Sequence, residues 1–446
     1  MDTPICNFVQ EYAQSNKLRL HMPGHKGVDF LGMEHLDITE INGADSLYEA
    51  DGIIAKSEAN ASGLFGCRTF YSTEGSSQCI RAMLYLVLLH CGRKGRKPLI
   101  AAGRNAHKSF LSAVTLLDLD VNWLLPDANV SYLSCDLTPA QLDGYLKNAE
   151  EKPAAVYLTS PDYLGHMADI KSLAEVCHRY DVLLIVDNAH GAYLKFLAQV
   201  QHPIELGADI CCDSAHKTLP VLTGGAYLHL SADMDASFGE QVKNALMLFG
   251  STSPSYLILQ SLDAANMYLE TYPQSLADFI PQVELLKARL RRHGYSLYGQ
   301  EPLKITVEAK PYGYTGVQLA ELLREQNIEA EFADRDYTVL MLTPEIGVNG
   351  LQQLEQALLY ILPKAPIDET CPVFLKGERI LSAREAMLSD SETLPVKECL
   401  GRILAVPSIG CPPAVPILVC GERINEQALK CFEYYGIETC CVVKKK

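Results

Sequence analysis

No apolar run in this chain approaches the roughly 20 residues that a membrane-spanning helix needs; one of the longest is only Met83–Leu89. The N-terminus, Met1-Asp2-Thr3-Pro4, lacks a basic region followed by an apolar core, so no secretory signal peptide is expected. Positive charge is also scarce. Lys and Arg number 38 against 54 Asp and Glu, giving a formal net charge of −16. Such a surface has no electrostatic reason to hold nucleic acid or an anionic membrane, and neither partner is expected. Cysteine is present, with 15 residues, yet none stand in C-x-x-C spacing. The adjacent pairs Cys211-Cys212 and Cys440-Cys441 suit neither a structural zinc site nor a disulfide framework. The expectation is reduced thiols, no metal and a cytoplasmic location. Internal repeats and low-complexity tracts are absent as well.

What remains is an ordinary globular composition, 48% hydrophobic and 21% charged over 446 residues, enough for two or three domains. From about residue 67 to 230, short apolar runs alternate with helical periodicity. Pro98–Ala102, Val121–Leu125, Ala154–Leu158, Val182–Val186, Ile210–Cys212 and Ala226–Leu230 read as strands. Cys79–His90 and Ile170–Tyr180 read as helices, as does the stretch that Thr138 caps and Pro139 opens. This alternation predicts an α/β fold with a mainly parallel sheet flanked by helices. A long helical stretch from about residue 255 to Arg292 follows. A second α/β set comes next, with strands Lys304–Glu308 and Thr338–Leu342 and a helix Gly316–Glu325. The division expected is an N-terminal arm (1–50), a large cofactor-binding domain (51–260) and a smaller C-terminal α/β domain with a turn-rich tail (261–446).

In a parallel sheet, ligands bind at the carboxyl ends of the strands. The run Val182–Val186 ends in Asp187-Asn188-Ala189-His190, and Asp213-Ser214-Ala215-His216-Lys217-Thr218 follows the next strand. A lone Lys is ordinarily a solvated charge and a lone Asp a turn or cap residue. Together, a strand-borne Asp and a Lys flanked by Ser and His are what pyridoxal 5′-phosphate chemistry requires. The Lys forms a Schiff base with the aldehyde, and the Asp keeps the pyridine nitrogen protonated so that the ring draws electrons. Gly75, Ser76 and Ser77 open the helical run before His90 and offer backbone N–H groups and hydroxyls to a phosphate. His107 follows the strand ending at Ala102 and suits stacking on the pyridine ring. Ala189 suits a position flat beneath the ring, and His190 a hydrogen bond to the cofactor's phenolic oxygen.

Read in order along the chain, these motifs resemble the Orn/Lys/Arg decarboxylase family of fold-type-I pyridoxal-phosphate enzymes. The series runs through His21-Met22-Pro23-Gly24-His25-Lys26-Gly27, Gly43-Ala44-Asp45-Ser46-Leu47, the Gly75-Ser76-Ser77 turn and His107-Lys108-Ser109. It continues with Ser160-Pro161-Asp162-Tyr163-Leu164-Gly165, Asp187 to Gly191, Ser214 to Leu219, Thr252-Ser253-Pro254 and Gly313-Tyr314-Thr315-Gly316. Pro412-Pro413-Ala414-Val415-Pro416 and Gly421-Glu422-Arg423-Ile424 close it. The resemblance implies a short form, without an N-terminal receiver-like domain, that releases CO2 from arginine, lysine or ornithine and leaves a di- or polyamine precursor. Lys217 would be the Schiff-base lysine, Asp187 the partner of the pyridine nitrogen, and His107 the ring-stacking residue. Ser76, Ser77, Ser214 and His216 would hold the phosphate. Thr252 or Ser253 would reach the phosphate of a neighbouring subunit, making a homodimer with shared sites. His107 and Lys217 are both candidates for reprotonating the carbanion. Glu40 and Asp45 are candidate partners for a cationic substrate side chain, each more commonly a structural or surface acid.

Three departures stand out against the family pattern: Glu74 where Asn is common, Asn188 where an acidic residue is common, and Cys411 and Ala414 in a block that usually reads P-Y-P-P-G-I-P. Two alternatives stay open: an aminotransferase or other lyase of the same fold type, and a cofactor-binding protein without catalysis. An aminotransferase commonly clamps the α-carboxylate with an Arg from the small domain. Here the strand Thr338–Leu342 runs into Thr343-Pro344 with no Arg after it.

Overall fold

The computed structural model describes residues 1–125, 131–373, 377–407 and 413–445. Cys411, Pro412 and Lys446 lie outside the described residues. The chain forms two compact units, one of residues 1–98, 151–158 and 170–276, the other of 99–150, 159–169 and 277–446. Neither is continuous in sequence.

The first unit is built on five strands in the order Arg68–Ser72, Ala226–Leu230, Ile210–Asp213, Leu183–Asp187, Ala155–Thr159. Ile210–Asp213 runs parallel to Leu183–Asp187, with Asp187 opposite Cys212. Ile210–Asp213 and Ala226–Leu230 are buried throughout, the pattern of strands covered on both faces. Ala226–Leu230 departs from the parallel expectation, pairing antiparallel with both neighbours. The segment 214–225 that joins it to Ile210–Asp213 holds only a one-turn helix, Ala215–Thr218, and returns antiparallel rather than through a crossover helix. Lys217 therefore sits on a tight return between antiparallel strands.

Two buried carboxylates do structural work in this unit. Asp263 Oδ2 accepts the backbone N–H of Ile5 and of Cys6, each at 2.9 Å, and so caps the helix Pro4–Gln14 that Thr3 leaves uncapped. Asp45 accepts from the N–H groups of Gly52 at 2.8 Å and Ile54 at 3.0 Å at the start of the helix Ile53–Phe65. Asp45 is thus a structural cap, and both its oxygens are taken by backbone amides.

The second unit carries the parallel pair Leu99–Gly103 and Asp120–Leu124. Its helix Pro139–Asn148 is capped by Thr138 as the sequence predicts, and Gln141 completes a capping box, each side chain bonding the other's backbone. A four-stranded antiparallel sheet follows in the order Phe332–Ala333, Tyr337–Met341, Lys304–Glu308, Ser296–Tyr298. A three-stranded sheet, Ser391–Pro395, Thr439–Val443, Leu404–Val406, packs on the tail helix Glu426–Tyr434 through Leu404, Phe432 and Val442. The fourteen described cysteines are free thiols, and no described helix is long and apolar enough to cross a membrane.

Candidate active site

The first unit gathers most of the residues singled out from sequence at the carboxyl end of its parallel strands. Asp187 ends Leu183–Asp187 and is buried. Its Oδ2 accepts from the Tyr157 hydroxyl at 3.0 Å, and its Oδ1 from the Ala189 N–H at 3.2 Å and the Cys212 thiol at 3.8 Å. Burial raises the pKa of this carboxyl, while the nearby Lys217 ammonium and the Tyr157 bond pull against it. Tyr157 and Cys212 escape a sequence reading because each lies inside a plain apolar strand. Parallel register brings Cys212 beside Asp187, and the neighbouring strand Ala155–Thr159 brings Tyr157.

Lys217 extends from the one-turn helix, and its Nζ lies 3.0 Å from His190 Nε2. Ala189, between Asp187 and His190 in sequence, is buried. Ser214 donates from Oγ to Ser76 Oγ at 2.8 Å. Ser76 and Ser77 lie in the first turn of the 20-residue helix Gly75–Lys94, whose N-cap Glu74 makes no side-chain cap bond. Instead, Glu74 Oε1 accepts the Ser251 N–H at 2.5 Å, tying the 251–253 loop beside the helix start of the same chain. Thr252 and Ser253 are exposed there.

The cradle is closed from the other side by backbone. Gly75 sits at φ +72° and donates its N–H to Gly224 O at 2.7 Å. A Cβ on Gly224 would meet Thr73 O at 2.8 Å, so glycine is required at that approach. His216, assigned to phosphate from sequence, hydrogen-bonds through Nδ1 to Gly225 O at 3.0 Å.

The donor set fits pyridoxal 5′-phosphate. It offers an amine on a half-buried lysine, a buried carboxylate held by three donors, and paired hydroxyls at the start of a long helix, where the dipole favours an anion.

His107 belongs to the second unit. It caps the helix Lys108–Leu117, with Nδ1 accepting the Ser109 N–H at 3.1 Å, so the neutral ring carries its proton on Nε2. The tail block holds this turn: Lys108 N–H donates to Ala414 O at 2.9 Å. Ala414 stands at φ +57°, a left-handed backbone that explains why the family pattern has Gly there. Nearby, the buried Arg104 guanidinium donates to Pro416 O, Ile417 O and the Glu422 carboxylate, all at 3.1–3.2 Å. Glu40 is exposed and accepts from the neighbouring Thr39 hydroxyl.

Comparison with known proteins gives the family. "Orn/Lys/Arg decarboxylase, major domain" matches residues 3–296, and "Orn/Lys/Arg decarboxylase, C-terminal domain" matches residues 379–440. The uncharacterized protein YaaO of Bacillus subtilis is 31% identical, covering 96% of this chain and 93% of that protein. An arginine decarboxylase of the same organism is 30% identical, covering 96% of this chain and 92% of its own length. Among solved structures, the Francisella novicida lysine decarboxylase LdcF superposes with a TM-score of 0.80 at 17% identity, covering 99% of this chain and 81% of that one. At that identity the likeness speaks for the fold.

Proposed function

Because the chain belongs to the Orn/Lys/Arg decarboxylase family, we propose that it is a pyridoxal-phosphate-dependent carboxy-lyase acting on a basic amino acid: arginine, lysine or ornithine. The observation that carries this reading is the Lys217 amine at 3.0 Å from His190, in the same unit as the buried, donor-held carboxylate of Asp187. When bound, the cofactor supplies an aldehyde for a lysine amine and a ring that draws electrons from the bond to the departing CO2.

The chain's own residues would do the rest. Lys217 must be deprotonated to act as a nucleophile, and His190 Nε2 is the acceptor at hand for its proton. Tyr157, Ala189 and Cys212 aim the Asp187 carboxylate, so that it keeps a facing pyridine nitrogen protonated without swinging away. Ser76, Ser77 and Ser214 would bind the phosphate at the helix start. His216, with Nδ1 on Gly225 O, and the exposed Thr252 or Ser253 are assigned to phosphate on the resemblance alone; His107 is assigned to the ring on its place after a strand and on the resemblance. With Asp45 committed to backbone, it no longer serves as the partner of a cationic substrate side chain.

Assembly as a homodimer, in the cytoplasm, belongs to the same proposal. The segment 18–33 supports the dimer. It exposes Leu18, Leu20, Phe30 and Leu31 by 78–83%, a concentration of apolar surface that calls for a cover. Against the aminotransferase alternative, Arg335, the arginine beside the strand Tyr337–Met341, is engaged bidentately by Glu369. Borohydride reduction of the purified protein followed by peptide mapping tests the reading. The phosphopyridoxyl label is expected on Lys217; a label on another lysine, or none, contradicts it.

A further inference from the structure

A second polar cluster lies on the opposite face of the strands that carry the site. Asp187 is in register with Cys212, and Cys211 with His229. Side chains alternate along a strand, so Asp187 and Cys212 share one face while Cys211, Asp213 and His229 share the other. On that other face, Asp213 Oδ2 accepts from Nε2 of both His202 and His229, each at 3.1 Å. Asp213 Oδ1 accepts from Asn188 Nδ2 at 2.6 Å. All four side chains have 0% exposure.

Hydrogen-bond inventory assigns the protons. Both Nε2 atoms carry hydrogen, because they donate to a carboxylate. His202 Nδ1 is buried with no partner among the described residues, so a proton there would be stranded, and this ring is neutral. His229 Nδ1 faces the Thr69 hydroxyl at 3.0 Å and the Cys67 thiol at 3.6 Å; the hydroxyl accepts a proton's bond and passes its own toward Cys67 O at 3.5 Å. A buried carboxylate needs one compensating charge, and His229 is the ring with room for it. Burial alone disfavours a charged His229, but the Asp213 carboxylate outweighs burial and raises the ring's pKa to about 9. At His202 burial prevails and the pKa falls.

We propose that Asp213, ionised and balanced by a His229 imidazolium beside a neutral His202, is a positioning residue for the proposed site. It latches Asn188, and with it the turn carrying Asp187 and His190, to the strand end that leads into Ser214 and Lys217. Backbone supports the latch, since Asn188 N–H donates to Cys212 O at 3.0 Å. Gly191 closes the seat: a Cβ there would lie 2.0 Å from Asn188 Oδ1. The latch also accounts for Asn188 where the family pattern has an acid. A carboxylate at 188 would face that of Asp213 at hydrogen-bond distance. The inference rests on reading Lys217 and Asp187 as the reacting pair.

Two experiments test it. The first uses the ¹⁵N-histidine-labelled chain stripped of cofactor at pH 8, with rings assigned through His202→Gln and His229→Gln. Two-bond ¹H–¹⁵N spectra should show His229 as imidazolium and His202 neutral with hydrogen on Nε2. Two neutral rings overturn the proposal, as does a tightly held zinc ion, for which His202, Cys211 and Asp213 offer ligand atoms within 4.8 Å of one another. This arm needs no turnover, so it stands or falls apart from the decarboxylase reading.

The second experiment is a double-mutant cycle on whichever amino acid is turned over. Asn188→Asp sets two carboxylates together, Asp213→Asn removes the charge and sets two amides together, and the double swap restores a carboxylate–amide pair. Each single change should lower kcat about tenfold or more with KM little altered, and should shift the visible band of the bound cofactor. The swap should recover most of both. If the singles do not fold, Asn188→Ala carries the test by removing only the latch. A folded Asn188→Ala with wild-type kcat and band, or a folded swap no better than the singles, overturns the proposal.

Discussion

Nζ of Lys217 and Nε2 of His190 lie 3.0 Å apart, although the two residues lie on connections that leave different strands, Lys217 in 214–225 after Ile210–Asp213 and His190 after Leu183–Asp187. Parallel pairing of Leu183–Asp187 with Ile210–Asp213 makes this meeting possible, because both connections leave the carboxyl end of the sheet. The amine, the imidazole and the Asp187 carboxylate thus share one end of the sheet, and the predictions below follow from that geometry.

Asp187→Asn should retain cofactor but lose turnover by about a hundredfold or more. The amide keeps the size of the side chain and can still bond Tyr157, but it cannot hold a ring nitrogen protonated. Cofactor content by absorbance and steady-state rates check this; wild-type kcat in a cofactor-loaded variant would show that Asp187 has no electronic role.

Ala414→Gly should stabilise the protein by about 1 kcal/mol, since a left-handed backbone costs an L-residue roughly that much. The denaturation midpoint measures it. An unchanged or lower midpoint would mean that the buried Ala414 methyl contributes more than the strain removes.

Breaking the Arg104–Glu422 pair from one side should cost about 3–5 kcal/mol, because the remaining charge is left buried. Glu422→Ala strands Arg104, which also loses nothing of its two carbonyl bonds. A double change to apolar residues of similar volume should cost less than the single one, as read by equilibrium unfolding.

Stability should also depend on pH through His229. Its folded pKa, about 9, lies above the ordinary 6.5. The charged ring therefore contributes fully below about 6.5, and its contribution fades as pH rises through about 9. Asp213, His202, Cys67, Cys211 and Tyr227 are the titratable groups around it; burial raises the Cys211 thiol and the Tyr227 phenol, so these two keep their protons through this window. His229→Gln should be less stable at pH 6 and should show a flatter decline from pH 7 to 9.5 in thermal melts. Parallel profiles for the two proteins would contradict the imidazolium.

Legibility in the sequence followed the range of the interactions. Local signals read correctly: Thr138-Pro139 at a helix start, the strands Ala226–Leu230 and Lys304–Glu308, and the helix Gly316–Glu325. Asp187 and Lys217 were legible because each follows an apolar run. Long-range pairing was not. Ser391–Pro395 alternates weakly and gains its place only by pairing with Thr439–Val443. The antiparallel return of Ala226–Leu230 is a pairing that no periodicity announces. The buried cluster of Asp213, His202 and His229 draws on three separate segments, each polar residue looking incidental in its own stretch. Arg104 and Glu422 likewise meet across most of the chain.

The central claim is decarboxylation that depends on Lys217. Carboxyl-labelled arginine, lysine and ornithine, each incubated with the cofactor-loaded protein, test it most directly. Labelled CO2 and the matching amine should appear in equal amounts from at least one of the three, and Lys217→Ala should abolish both. No labelled CO2 from any of them, a 2-oxo acid in place of the amine, or undiminished release by Lys217→Ala would contradict it.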